Sequence, residues 1–187
     1  MIVFDTETTA MVAPEAAPVA QQPRIVEFAA IKLNPYTLEE TGRFECLINP
    51  RILIPPDATK VHGITDEMVK NEPPFSGRYS DLTDLFLGVE HSVVHNSSFD
   101  WRVIYWELFR IGKQTMFPYP PVQFCTVELA IQKLNLKTER GDRIRLGALH
   151  EHLGLGPHKD AHRAMPDVEA LVRVIRELKR LGAFELR

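Results

Sequence analysis

Asp5 and Glu7 stand two residues apart at the end of a short apolar, β-prone run, Met1 to Phe4. Alternation along a strand puts both carboxylates on one face. Like charges that close are costly unless a cation lies between them, and hard divalent cations prefer oxygen ligands. An isolated Asp-x-Glu is nonetheless more often a solvated strand end. A third acid, Asp100, closes His95-Asn96-Ser97-Ser98-Phe99-Asp100, where a strand end runs into a helix. Ser97-x-x-Asp100 also reads as a capping arrangement with its acid at the favourable helix N-terminus. The fourth, Asp167, ends His162-Arg163-Ala164-Met165-Pro166-Asp167, and Pro166 suits the first turn of a final helix. On one continuous helix His162 and Asp167 would point about 140° apart. They can share a site only if His162 lies in the preceding loop. His150, His152 and His158 show no ligand spacing and read as surface residues.

The elements that must position these groups follow from pattern. Residues 25–33 (IVEFAAIKL) and 43–49 (RFECLIN) read as strands joined by a turn with Asn34-Pro35 and Gly42. Thr65-Asp66-Glu67 starts a helix that Pro73-Pro74 ends, and residues 81–87 form another short one. Ser92 to His95 is a buried strand, and residues 97–111 turn helical through Phe99, Val103, Ile104, Trp106, Leu108 and Ile111. Trp101 and Trp106 read as core or partly buried aromatics. Val122 to Cys125 is a strand leading into a helix that runs to Leu134. Residues 137–145 are polar, and Leu146, Leu149 and Leu153 have helical spacing closed by Gly154, Gly156 and Pro157. The last helix spans about 166–181, with Leu171, Val174 or Ile175, and Leu178 inward. Three strands followed by alternating helices and strands predict an α/β protein, a mixed sheet flanked by helices. A doubly wound nucleotide-binding domain is disfavoured because no Gly-rich loop follows the first strand.

The 187 residues fit one domain with an ordinary core. The Ala/Pro-rich stretch at 10–23, with prolines at 14, 18 and 23, reads as an inserted loop. Cys46 and Cys125 have no ligand spacing and read as reduced core thiols of a cytoplasmic protein. There is no basic leader and no run long and apolar enough for a membrane span. A net charge of −3 argues against binding nucleic acid through bulk positive charge, though not against gripping a few nucleotides locally.

Each acidic cluster is weak alone. In order, FDTETT, VHGIT, HNSSFD and AHRAMPD closely resemble the motifs of DnaQ-like 3′–5′ exonucleases, the DEDD exonucleases whose third motif carries a histidine. The resemblance covers the chain from Met1 to about Leu178. It implies an RNase H-like fold, a five-stranded mixed sheet whose first three strands are antiparallel. It also implies Asp5, Glu7, Asp100 and Asp167 as ligands of two divalent ions, Mg or Mn, and His162 as general base. Thr8, His62, Gly63, Asn96 and Phe99 fall where relatives touch the terminal nucleotides, and Met11 where they place an apolar wedge. Arg163 and Lys159 flank His162 and are candidates to meet the incoming backbone. Two positions depart from the pattern: Ala10 replaces the usual Gly after the paired threonines, and Cys125-Thr126 stands where many relatives have Asp-Thr.

The implied reaction is hydrolysis from a nucleic-acid 3′ end, releasing nucleoside 5′-monophosphates with two ions ~3.5–4 Å apart as a clamp. The paired threonines resemble the proofreading branch and favour single-stranded or frayed DNA. An RNA-trimming 3′–5′ exoribonuclease is the alternative within the class. A non-catalytic nucleic-acid-binding module of the same fold and a general two-metal phosphatase are the alternatives outside it. A chain ending soon after its last helix favours a stand-alone enzyme, with polymerase association left open and no membrane partner.

Overall fold

The computed structural model of the chain describes residues 1–136, 144–158 and 161–186. Strands β1 (Ile2–Thr8), β2 (Ile25–Leu33) and β3 (Glu40–Leu47) form an antiparallel meander. Helices α1 (Pro56–His62), α2 (Asp66–Val69) and α3 (Phe75–Phe86) precede β4 (His91–Val94), which runs parallel to β1. Helix α4 (Ser97–Arg110) crosses to β5 (Val122–Cys125), parallel to β4. Helices α5 (Thr126–Leu134), α6 (Leu146–His152) and α7 (Ala164–Arg180) complete the described elements. The strand order is β3-β2-β1-β4-β5, the mixed sheet flanked by helices that the residue pattern predicts.

Strand β1 shows how the sequence fills both faces. Val3 joins Ala29, Ile31, Leu171, Ile175 and Leu178 in a core under α7. Ile2 and Phe4 join Phe28, Phe86, Val103 and Leu108 in a core under α4. Phe4 stacks on Phe28 at 5.7 Å between ring centroids and meets Trp101 edge-on at 4.8 Å. Strand β2 lies between β1 and β3 and is buried on both sides almost throughout, which is why its sequence is a near-continuous apolar run.

The structure differs from the sequence reading in the helices after β3. Helix α1 was not anticipated. The helix at Thr65 is only four residues long, and Pro74 precedes α3, which begins at Phe75 rather than at Asp81. Gly77 conceals that start, because it weakens the helical pattern. The position favours glycine: a Cβ there would lie 3.0 Å from Pro73 Cβ, a tight contact.

The loop at 10–23 is irregular as expected, apart from a 3-10 turn at Val19–Gln21. It is also firmly tethered. The Arg110 guanidinium donates to the carbonyls of Val19, Gln22 and Pro23 at 3.0, 2.7 and 3.2 Å, and Arg102 donates to Ala13 at 3.1 Å. Arg110 is in turn paired with buried Glu107, which accepts from the Ile25 amide at 3.1 Å. Of the polar stretch 137–145, residues 137–143 lie outside the described residues.

Candidate active site

Alternation carries the two cores outward into the site. Asp5 and Glu7 follow Val3 onto the α7 face, and Thr6 follows Phe4 onto the α4 face. The regular ladder with β2 shifts register between Glu7 and Thr8, directly after the second acid. Asp167 lies in the first turn of α7, where the helix dipole favours a carboxylate. One carboxylate oxygen from each of Asp5, Glu7 and Asp167 lies within 4.8 Å of the others.

Asp100, on α4, is not one of the three converging carboxylates. It does not cap the helix; its Oδ1 accepts from the Thr6 amide at 3.1 Å and from the Thr6 hydroxyl at 2.7 Å. Thr6 thus joins Asp100 to the strand between the two β1 acids.

The electrostatics are those of crowded carboxylates, half-buried at Asp5, Glu7 and Asp167 and buried at Asp100. Asp5 is held well above the usual carboxylate range by burial, then by the charges of Asp100, Asp167, Glu7 and Glu27. Burial, Asp167, Glu27 and Asp100 push Glu7 up to about 8, against a small opposing effect of Arg163. Burial raises Asp100 to about 7 although the Thr6 hydrogen bonds work the other way. An all-oxygen donor set whose negative charge is this unfavourable without a counter-charge fits hard divalent cations.

His162 does lie in the loop before α7, exposed, with a left-handed φ of 68°. Its amide donates to Asp167 Oδ2 at 3.1 Å, and its ring lines a cavity of about 510 Å³ that reaches Glu7. Thr8, Met11, His62 and Phe99 line the same cavity, with Ala58 and Val61 of α1, and its lining is mainly apolar. Burial lowers the His62 pKa. His62 Nδ1 accepts from the Ile64 amide at 3.0 Å, so Nε2 carries the ring's proton.

Two other residues expected to touch the terminal nucleotides do not line this cavity. Gly63 ends α1 in the left-handed conformation, φ 72°, and does not line the cavity. Asn96, also left-handed, precedes α4 and lies outside the lining. Ala10 needs no left-handed backbone, and the Thr8 hydroxyl donates to its carbonyl at 2.8 Å, so the departure from glycine is accommodated locally.

Three corrections concern the third motif and the segment before it. Arg163 does not reach outward: its guanidinium grips buried Glu27 of β2, with Nε 3.1 Å from both carboxylate oxygens, and Glu27 Oε2 also accepts from the Ala164 amide at 2.8 Å. His158 is not a surface residue, since its ring is buried and its Nε2 contacts Asp167 Oδ1. His150 is likewise buried, 2% exposed, because α6 packs it against α7, whereas His152 is exposed. Lys159 lies outside the described residues. Glu27 was open to discovery as a lone acid within an apolar strand; His158 carried no such signal.

The exonuclease family's sequence model matches residues 2–175. The chain is 33% identical over 174 residues to the DNA polymerase III subunit epsilon of Treponema pallidum (strain Nichols), covering 91% of this chain and 72% of that one. It is 32% identical over 175 residues to the Pasteurella multocida (strain Pm70) subunit, covering 92% and 65%. A structure of exonuclease X in complex with 5′ overhanging duplex DNA superposes with a TM-score of 0.64 at 25% identity, covering 97% of this chain and 92% of that one. The nuclease domain of 3′hExo, a DEDDh family member bound to rAMP, gives 0.79 at 18% identity over 100% of this chain and 94% of that one, and shows the shared RNase H-like fold. The family uses divalent metals. Its motifs in order, its sheet and its sequence place the chain in the exonuclease family, as a DnaQ-like 3′–5′ exonuclease.

Proposed function

We propose that the chain removes nucleotides from the 3′ end of single-stranded or frayed DNA using two divalent cations, Mg or Mn. The observation that carries this reading is the convergence of Asp5, Glu7 and Asp167 oxygens within 4.8 Å, with Glu7 also lining a mainly apolar cavity. The polymerase subunits and the exonuclease X complex named above support DNA as the substrate.

Asp5, Glu7 and Asp167 would hold the cations, with Asp100 completing the set from the α4 side. When bound, the two cations neutralise charge on the attacking and leaving oxygens of an in-line displacement. The terminal base enters the cavity between Met11, Val61 and Phe99, burying apolar surface without reading base identity. Thr8 and His62 border its sugar. His162, on a loop and exposed, takes the proton of the attacking water on a ring nitrogen. The water oxygen bonds to phosphorus, the bond to the 3′ oxygen of the penultimate nucleotide breaks, and that oxygen leaves with a proton. The product is a nucleoside 5′-monophosphate.

Digestion of matched end-labelled DNA and RNA oligonucleotides, single- and double-stranded, with Mg²⁺ or Mn²⁺ tests this directly. Mononucleotides released from the 3′ end of DNA, and abolished by EDTA, are expected. Faster release from RNA would overturn the substrate, and undiminished release by Asp5→Ala would overturn the site.

A further inference from the structure

His158, its side chain 4% exposed, lies outside the motifs quoted above, yet its Nε2 faces Asp167 Oδ1. Its surroundings fix it there. His150 Nε2 accepts from Arg173 Nε at 3.1 Å, so His150 Nδ1 carries a proton and donates to the Gly156 carbonyl at 2.7 Å. This bond pins the turn that leads into His158. The two imidazole rings pack 6.2 Å apart at 39°, and Gly147 of α6 lies under the His158 side chain, where a Cβ would sit 3.9 Å from His158 Cβ. The contacts therefore run from Arg173 on α7, through α6 and the turn, and back to Asp167 on α7.

A carboxylate that ligates a metal is held in orientation by hydrogen bonds to its own oxygens, and losing such a partner typically costs ten- to hundredfold in metal affinity. Asp167 has two partners in place: the His162 amide on Oδ2 and the His158 ring on Oδ1. Each oxygen keeps a second lone pair for a cation. We infer that His158 is a positioning residue of the metal site, donating from Nε2 to Asp167 so that this carboxylate is aimed before a cation arrives. It acts through Asp167 and takes no proton from substrate; the general-base role stays with His162. The inference rests on the proposed metal-binding role of Asp167.

Calorimetric titration of the full chain with Mn²⁺, in the absence of nucleic acid, reads the effect without any turnover. His158→Phe keeps a packed ring and removes the donor; His158→Gln keeps a neutral donor of similar reach. The Phe variant is expected to bind Mn²⁺ about ten- to hundredfold more weakly, and the Gln variant within about threefold of the parent. At saturating Mn²⁺ both should turn over within about threefold of the parent, with the loss appearing in the metal concentration needed for half activity. Melting in EDTA establishes that each variant is folded. Parent-like Mn²⁺ affinity in the folded Phe variant would overturn the inference, as would a Gln variant as weak as Phe. A parent chain that binds no Mn²⁺ would instead overturn the metal-site reading itself, which separates the two failures.

Discussion

Glu27 of β2 and Arg163, the residue before α7, are locked together with the Arg163 Nε 3.1 Å from both oxygens of a carboxylate that is 1% exposed. The same carboxylate accepts from the Ala164 amide at 2.8 Å, so one buried acid fixes the start of the helix that carries Asp167. Glu27 also pairs directly across from Glu7 in the β1–β2 ladder. The clamp therefore ties two parts of the site to one strand position.

Removing the cation from this pair leaves a buried, uncompensated carboxylate. Arg163→Ala is expected to destabilise the chain by about 2 kcal/mol, below the full value for a buried pair because the arginine is 40% exposed. Urea unfolding in EDTA measures it. Turnover should fall as well, since the turn bearing His162 loses its anchor, and an unchanged unfolding midpoint would contradict the clamp.

Neutralising one acid of the cluster should separate stability from activity. Asp5→Asn relieves repulsion from Asp100, Asp167, Glu7 and Glu27. Its melting point in EDTA should rise, by about 1 kcal/mol of added stability. Its turnover should fall about 10²–10³-fold or more, because charge stabilisation at the reacting phosphate is lost. Thermal melts and oligonucleotide digestion on one preparation check both.

The metal-free protein should lose stability as pH rises. Glu7 moves from an ordinary 4.5 to about 8 on folding, and Asp5 and Asp100 shift the same way. Between those two pH values the folded state holds more protons than the unfolded chain, so stability falls through that window and is lowest above it. Melts in EDTA at a series of pH values read the slope. Metal binding expels these protons, so affinity should climb with pH, about tenfold per unit for each proton displaced. Calorimetry in buffers of different ionisation heat counts them.

His162→Ala should reduce turnover about 10²–10⁴-fold while metal affinity stays near the parent value. His158→Phe should show the reverse split. Titration and single-turnover digestion of the two variants side by side distinguish a proton acceptor from a positioning group.

The site was legible in the sequence where it follows chain periodicity. Asp5 and Glu7 share a face because a strand alternates, and β2 and β5 lie where their residues indicate. The angle between His162 and Asp167 set the condition that His162 lie in the loop before the helix if the two share a site, and it lies there. What escaped depends on tertiary closure. His158 meets Asp167 only because the turn at Gly154 and Gly156 folds back under α6, a path that no local spacing encodes. Helix α1 was readable but missed: Pro56 opens it and Asp57 lies in its first turn. Gly63, expected at a nucleotide contact, ends that helix in the left-handed conformation, a role its sequence position also allows.

Strand β1 deals its side chains alternately to the two layers of the protein, with Thr6 holding Asp100 on one side while Asp5 and Glu7 meet Asp167 on the other. Parity is therefore inherited by the chemistry. Adding or deleting a single residue between Val3 and Asp5 would exchange the layers, turning both acids toward the aromatic core beneath α4. Length added past Thr9, outside the ladder, leaves that parity untouched, and the long tethered loop at 10–23 occupies that position.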